Sequence, residues 1–213
     1  MIRIVYEDKD IVVLIKPVGI SSEEVHMQPE FLKQGKELFT IHRLDQSVGG
    51  IMLFAKNKKA AAVLSAAVSE HRMKKRYMAV IHGRLEEKSG DMEDYLFKDS
   101  KKNKSYVVKK QRKGVKWAKL SYNVMGEVTK EEKEYSLVLI ELFTGRTHQI
   151  RVQFSSRKHP LVGDGKYGSK ENHALALWSY QIEFEHPTTK AKMIWEELPP
   201  NQYPWRNQLW KNG

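Results

Sequence analysis

His42-Arg43-Leu44-Asp45 leads, across Gln46-Ser47-Val48-Gly49, into the apolar run Gly50-Ile51-Met52-Leu53-Phe54-Ala55. That short apolar run reads as a strand. The segment before it sets one carboxylate among cations at the mouth of that strand. A second segment, Thr144-Gly145-Arg146-Thr147-His148-Gln149-Ile150-Arg151, leaves another apolar strand, Tyr135 to Phe143, and carries two arginines and a histidine. An aspartate held by arginine stays ionised, hence nucleophilic, even where water is excluded. Either segment alone reads equally well as a surface turn with an ordinary ion pair. Together they point to a site.

Working outward, Ile2 to Ile15 reads as strand, broken at Glu7-Asp8-Lys9-Asp10 and ended by Pro17 and Gly19. Ser21 to Thr40 has little periodicity and predicts a loop or short helix. Past Ala55, Asn57 is placed to cap an alanine-rich helix, Ala60 to Val68, whose apolar stripe is core packing. Tyr77 to Ile81 is a strand stopped by Gly83. Lys119 to Met125 and Glu134 to Phe143 are strands joined by a charged turn, and Thr147 to Lys158 looks helical, with Ile150, Val152 and Phe154 apolar. No internal repeat and no Pro/Ser/Gly linker marks a boundary, so residues 1–213 read as a single domain of two lobes.

The formal net charge is +11 and 40% of residues are hydrophobic. That balance describes a folded protein with a polyanionic partner, nucleic acid ahead of an anionic membrane surface. No apolar run has the length to span a bilayer, and the N-terminus lacks the design of a signal peptide. The expectation is a soluble cytoplasmic protein. There is no cysteine, which removes disulfides, thiolate metal sites and a thiol nucleophile.

From Lys101 to Lys119 the chain carries nine lysines and arginines, Lys109, Lys110 and Arg112 among them, and no acid. Tyr106, Val107, Val108 and Trp117 interleave apolar groups and Gly114 marks a turn, so the stretch reads as a basic hairpin. A solvated charged face is the plain alternative; same-sign charge with an aromatic toward each end favours phosphate contacts. Gly163-Asp164-Gly165-Lys166-Tyr167-Gly168 spells the dinucleotide fingerprint, but with no strand before it and no apolar helix after it, so nucleotide binding is rejected. His42, Asp45 and His148 lack metal-ligand spacing and stand beside Arg43, Arg146 and Arg151, so no metal is expected. A glycosidase needs two carboxyl groups across the scissile bond, and these segments supply one.

The chain resembles the RluA-type pseudouridine synthases, which isomerise uridine in RNA. The resemblance runs through Asp10-Ile11-Val12-Val13-Leu14-Ile15-Lys16-Pro17, the His42–Asp45 loop, Lys75-Arg76-Tyr77-Met78-Ala79-Val80-Ile81-His82-Gly83, the Thr144–Arg151 segment, Pro160 to Gly168, and Leu175 to Pro187. It implies an α+β fold, a mixed and mostly antiparallel sheet in two lobes around a cleft, without the small N-terminal RNA-binding domain of many relatives. It further implies a flipped uridine, Asp45 as the group that initiates cleavage of the bond from uracil to ribose, and rejoining through carbon 5. Arg151 matches the family arginine paired with that aspartate, and Tyr77 the tyrosine stacked on the base. Leu177 matches an apolar residue against the uracil ring. Arg43 is placed to fill the gap left by the flipped base, while His42, Arg146 and His148 complete the substrate-binding set. No cofactor is implied, and the partner is ribosomal or transfer RNA, with no membrane, no obligate protein partner, and a monomeric enzyme. A non-catalytic RNA-binding protein on the same scaffold is the competing reading. One departure stands out: where the family commonly has Thr-Ser-Gly after the aspartate loop, this chain has Val48-Gly49-Gly50.

Overall fold

Strand β4, Gly49–Ala55, is buried at every position and has other strands on both edges. β2 (Ile11–Lys16) runs antiparallel along its whole length, pairing Ile11 with Ala55 and Lys16 with Gly50. The opposite edge is shared: β3 (Phe39–Thr40) takes its end and β10 (Leu177–Glu185) takes its start, the latter in parallel register through Trp178↔Gly49 and Ser179↔Gly50. β1 (Arg3–Glu7) adds to β2 as a hairpin, and β11 (Lys192–Glu196) adds to β10. The computed structural model describes residues 2–25 and 37–206. Part of the segment predicted as a loop or short helix between Ser21 and Thr40 therefore lies outside the described residues.

Contacts divide the chain into two compact units, Met1–Arg76 with Trp178–Pro199, and Tyr77–Leu177 with Pro200–Gly213. The first unit holds the strands above. Its core joins Ile11, Val13, Ile51, Leu53 and Ala55 to Ala60 and Leu64 of helix α1 (Lys58–Ser69), with Ile182 and Phe184 of β10. The predicted cap is present: the Asn57 side chain accepts from Ala60 N–H at 2.8 Å, meeting one of the donors a helix start leaves over.

The second unit is an antiparallel sheet ordered β5-β9-β8-β6-β7. β5 (Lys74–His82) enters it at Tyr77. β8 (Val115–Lys130) and β9 (Lys133–Leu142) form one long hairpin. Its turn is Glu131-Glu132, both at positive φ, the two-residue geometry that follows strand twist. Both strands reach further toward this turn than the sequence suggested.

The basic stretch is not a hairpin. β6 (Ser89–Asp99), which the sequence did not announce, lies between β7 (Lys104–Val108) and β8 and pairs antiparallel with both. The connection 109–114 crosses the sheet order from one side of β6 to the other. Helix α2 (Gln149–Ser156) covers one face of this sheet, with Val152 packing on Leu96, Ala118 and Tyr167. The mixed, mostly antiparallel α+β architecture agrees with the expectation. Among the described residues no helix is long and apolar enough to cross a membrane.

Candidate active site

In the first unit the His42–Asp45 loop is held from three sides. His42 turns inward, and its Nε2 accepts from Leu53 N–H at 3.1 Å, which puts the ring proton on Nδ1. Burial, reinforced by the charge of Lys75, pushes the imidazole down to about 3, so it is neutral and anchors the loop base. Ser22 clamps the next residue but one: Leu44 N–H donates to Ser22 Oγ at 2.8 Å, and Oγ contacts Leu44 O at 2.8 Å. Asp45 O accepts from Val48 N–H at 2.9 Å, closing a tight turn, and Gln46 bonds Gly19 through both side chain and backbone. Arg43 stands exposed, paired with Glu23 at 3.1 Å.

Beneath this turn lies Lys16, which has no exposed surface. Its Nζ donates to Pro17 O at 2.9 Å and Ile20 O at 2.7 Å. Burial pulls the ammonium down to about 8, opposed by the negative charge of Asp45. The amine thus remains mostly protonated at pH 7, and a positive charge is fixed inside the unit that carries the carboxylate. Sequence inspection gave Lys16 no role, since a lysine ending a strand ordinarily reaches solvent.

Within Val48-Gly49-Gly50 the two glycines have steric causes. A Cβ on Gly49 would run into the Trp178 indole, its register partner in β10. Gly50 sits at φ +118°, and a Cβ there would lie 2.7 Å from Ser179 N. The bulky ring occupies the space that a hydroxyl-bearing residue at 49 requires. The indole is itself fixed, donating to Glu197 O at 2.8 Å.

In the second unit Arg151 is buried in α2 and forms a fork with Asp164, Nε to Oδ2 at 2.7 Å and Nη2 to Oδ1 at 2.8 Å. The two side chains are 9% and 1% exposed. Such a bidentate pair fixes the plane of the guanidinium as well as its position. Asp164, to which the sequence reading gave no role, supplies the carboxylate of this fork. Asp164 belongs to the glycine-rich loop, and its carbonyl accepts from Tyr167 and Ser169 N–H, each at 3.0 Å. Gly163 holds φ +75°, and a Cβ there would strike the carbonyls of His173 and Ala174. The loop closes in a three-residue 3-10 turn, Gly165–Tyr167. The close approach at Gly163 serves the placement of Asp164.

The Arg151 guanidinium lies 5.1 Å from the ring centre of Tyr167, a second residue the sequence gave no role. Tyr167 Oη accepts from Ser105 N–H at 2.8 Å and bonds His148 Nδ1 at 3.0 Å. His148, at φ 53°, starts α2. Gln149 knots the preceding turn: its Oε1 accepts from Thr144 Oγ1 at 2.8 Å and from Arg146 N–H at 3.0 Å. Arg146 Nε donates to Trp117 O at 2.9 Å. Tyr77 and Leu177 are buried at the two points where the second unit begins and ends its main segment. Lys109, Lys110 and Arg112 are exposed.

The structure therefore groups His42, Arg43 and Asp45 with Lys16 in one unit. It groups Arg146, His148 and Arg151 with Asp164 and Tyr167 in the other.

A family model described as RNA pseudouridylate synthase matches residues 10–156. The chain belongs to that family. An uncharacterized RNA pseudouridine synthase of Mycoplasma pneumoniae is 32% identical over 205 residues, which is 91% of this chain and 65% of the relative. The tRNA pseudouridine synthase C of Vibrio cholerae is 26% identical over 247 residues and covers both chains completely. Human RNA pseudouridylate synthase domain containing 1 superimposes with a TM-score of 0.83 at 24% identity, over 99% of this chain and 88% of its own. That likeness establishes the shared fold.

Proposed function

We propose that this protein isomerises uridine to pseudouridine in structured RNA, ribosomal or transfer, with Asp45 as the group that starts the reaction. The observation that carries the reading is the Asp45 turn: a half-buried aspartate whose backbone is fixed by Val48 and whose neighbours Leu44 and Gln46 are held by Ser22 and Gly19, with the ammonium of Lys16 beneath it, in a chain of this family. A fixed carboxylate with a buried countercharge is poised to act in a site that has lost water. The bond from uracil nitrogen 1 to the anomeric carbon breaks and a bond from carbon 5 to that carbon forms. The proton leaves carbon 5 and nitrogen 1 gains one, so no oxidant, reductant or added atom is needed.

Arg151 is assigned as the cation that stabilises Asp45, with Asp164 holding Nε and Nη2 so that the guanidinium keeps one orientation. Tyr77 is assigned to the base, with Leu177 against its ring. Arg43, exposed beside the aspartate, is assigned to the RNA at the position of the flipped nucleotide. Lys109, Lys110 and Arg112 contribute phosphate contacts. Transfer RNA is the substrate named by the relative that matches from end to end, and the same reading places the protein with its RNA in the cytoplasm. Pseudouridine mapping of cellular RNA with and without this protein tests the proposal and names the RNA. Loss of one or more pseudouridines on deletion supports it, and an unchanged map of ribosomal and transfer RNA overturns it.

A further inference from the structure

The sheet of the second unit has two faces of different character. On one, Leu96, Ala118 and Val107 are covered by Val152 and Tyr167. On the other, the strand register aligns Trp117, Tyr95 and Val108 in one row, and Val115, Phe97 and Tyr106 in the next. Side chains directly opposite in register share a face. Four aromatic rings therefore lie together on the uncovered side, with Trp117 42% and Tyr106 36% exposed. Cations are set against them: Lys104 Nζ is 5.8 Å from the Tyr106 ring centre, and the Arg112 guanidinium is 5.6 Å from that of Phe97. Of the acids on this face of β6, Asp91 and Glu93 are both engaged by Lys119, at 3.1 Å and 2.8 Å, and Asp99 accepts from the Lys101 and Lys102 N–H groups at 3.0 Å and 3.1 Å.

A core face would not carry these lysines, and protein interfaces are depleted in lysine at their centres. Rings interleaved with cations on an open sheet suit unpaired nucleotides, whose bases stack on the rings while phosphates meet the charges. Charge decides the occupant: the run from Lys101 to Lys119 holds nine cations and no acid. We propose that this face of β6, β7 and β8 is a stacking surface for a single-stranded stretch of the substrate RNA, distinct from the contacts made by Asp45 and Arg151. Bases lie on Trp117 and Tyr106, and phosphates on Lys104, Lys109 and Lys110. The proposal rests on RNA being the substrate and adds how a segment outside the target uridine is held.

The test is fluorescence titration of the protein with oligouridine and with a duplex of equal length. Wild type is expected to show quenching by oligouridine that Trp117→Phe lacks. Trp117→Ala and Tyr106→Ala, which alter exposed positions, should each bind oligouridine about 5- to 100-fold more weakly. Their salt slope should match wild type, whereas Lys109→Gln with Lys110→Gln should flatten it by about one unit per contact. Duplex binding should not respond to the aromatic substitutions. Equal oligouridine affinity for wild type and both aromatic variants overturns the proposal. So does a concentration-dependent dimer that Trp117→Ala abolishes without any change in RNA affinity, since the occupant would then be a second copy. Stacking by wild type without pseudouridine formation in any RNA would sink the enzymatic reading while leaving this surface in place.

Discussion

Replacing Asp164 by alanine strips Arg151 of the fork that fixes it. The two bonds, at 2.7 and 2.8 Å, are charge-assisted, and each contributes about 1.5–3 kcal/mol. With the arginine side chain only 9% exposed, water does not replace the lost oxygens, and Nε and Nη2 of the buried guanidinium lose the acceptors that hold them. Breaking a buried pair in this way costs about 3–5 kcal/mol. For a chain of this size each kcal/mol moves the melting temperature by about 2–4 °C, so a fall of about 6–20 °C is expected. Asp164→Asn keeps one acceptor and the shape, and should fall between alanine and wild type. Melting followed by circular dichroism and urea midpoints read the stability. Tritium release from carbon 5 of uridine, measured well below the melting range, reads the positioning effect; displacing a catalytic group by about 1 Å is worth about 100-fold. An Asp164→Ala protein within about 1 kcal/mol of wild type, reacting at the wild-type rate, would refute the reasoning.

If Asp45 and Arg151 act as the proposed pair, Asp45→Asn and Arg151→Leu combined are strongly non-additive in kcat/KM; additive losses would separate the two residues. Gly49→Ser should cost about 1–3 kcal/mol, since its Cβ meets the Trp178 ring. Trp178→Leu in the same chain should recover part of that loss, and independent costs in urea titrations would contradict the steric account. His42 is held at about 3 against about 6.5 unfolded. Above pH 6.5 both states are neutral and it contributes nothing. As pH falls below 6.5 the unfolded chain takes the proton first, so about 2–3 kcal/mol of stability is lost by pH 4.5. The difference in unfolding free energy between wild type and His42→Gln should vary with pH by that amount, and a flat difference would mean the ring is protonated in place.

Much of this fold is legible where local chemistry decides. The continuous apolar run of β4, the Asn57 cap and the turn closed by Gly83 are short-range signals, and each appears where the sequence places it. The order of β7, β6 and β8 is not a local signal. Nothing between Lys101 and Lys119 announces that Ser89–Asp99 returns between the two strands, and the basic turn at Gly114 mimics a hairpin. β6 itself alternates charge with apolar groups under a heavy load of acids, and β11 is short and lies at an edge. The same limit applies to the site. Asp45 and Arg151 sit in recognisable motifs, but the partner of Arg151 in the fork is chosen by the fold of a glycine-rich loop. The burial of Lys16 depends on the Pro17–Ile20 carbonyls curling over its amine. The glycine at position 49 becomes intelligible only when Trp178 is seen in register with it.

The central claim is that the carboxylate of Asp45 drives isomerisation. Its most direct measurement is tritium release from carbon 5 of uridine in a substrate RNA, comparing wild type with Asp45→Asn, a substitution that nearly preserves shape. The account predicts release by wild type and none by Asp45→Asn, with RNA affinity equal or slightly tighter because a negative charge facing phosphate has gone. Equal rates for the two proteins would contradict it.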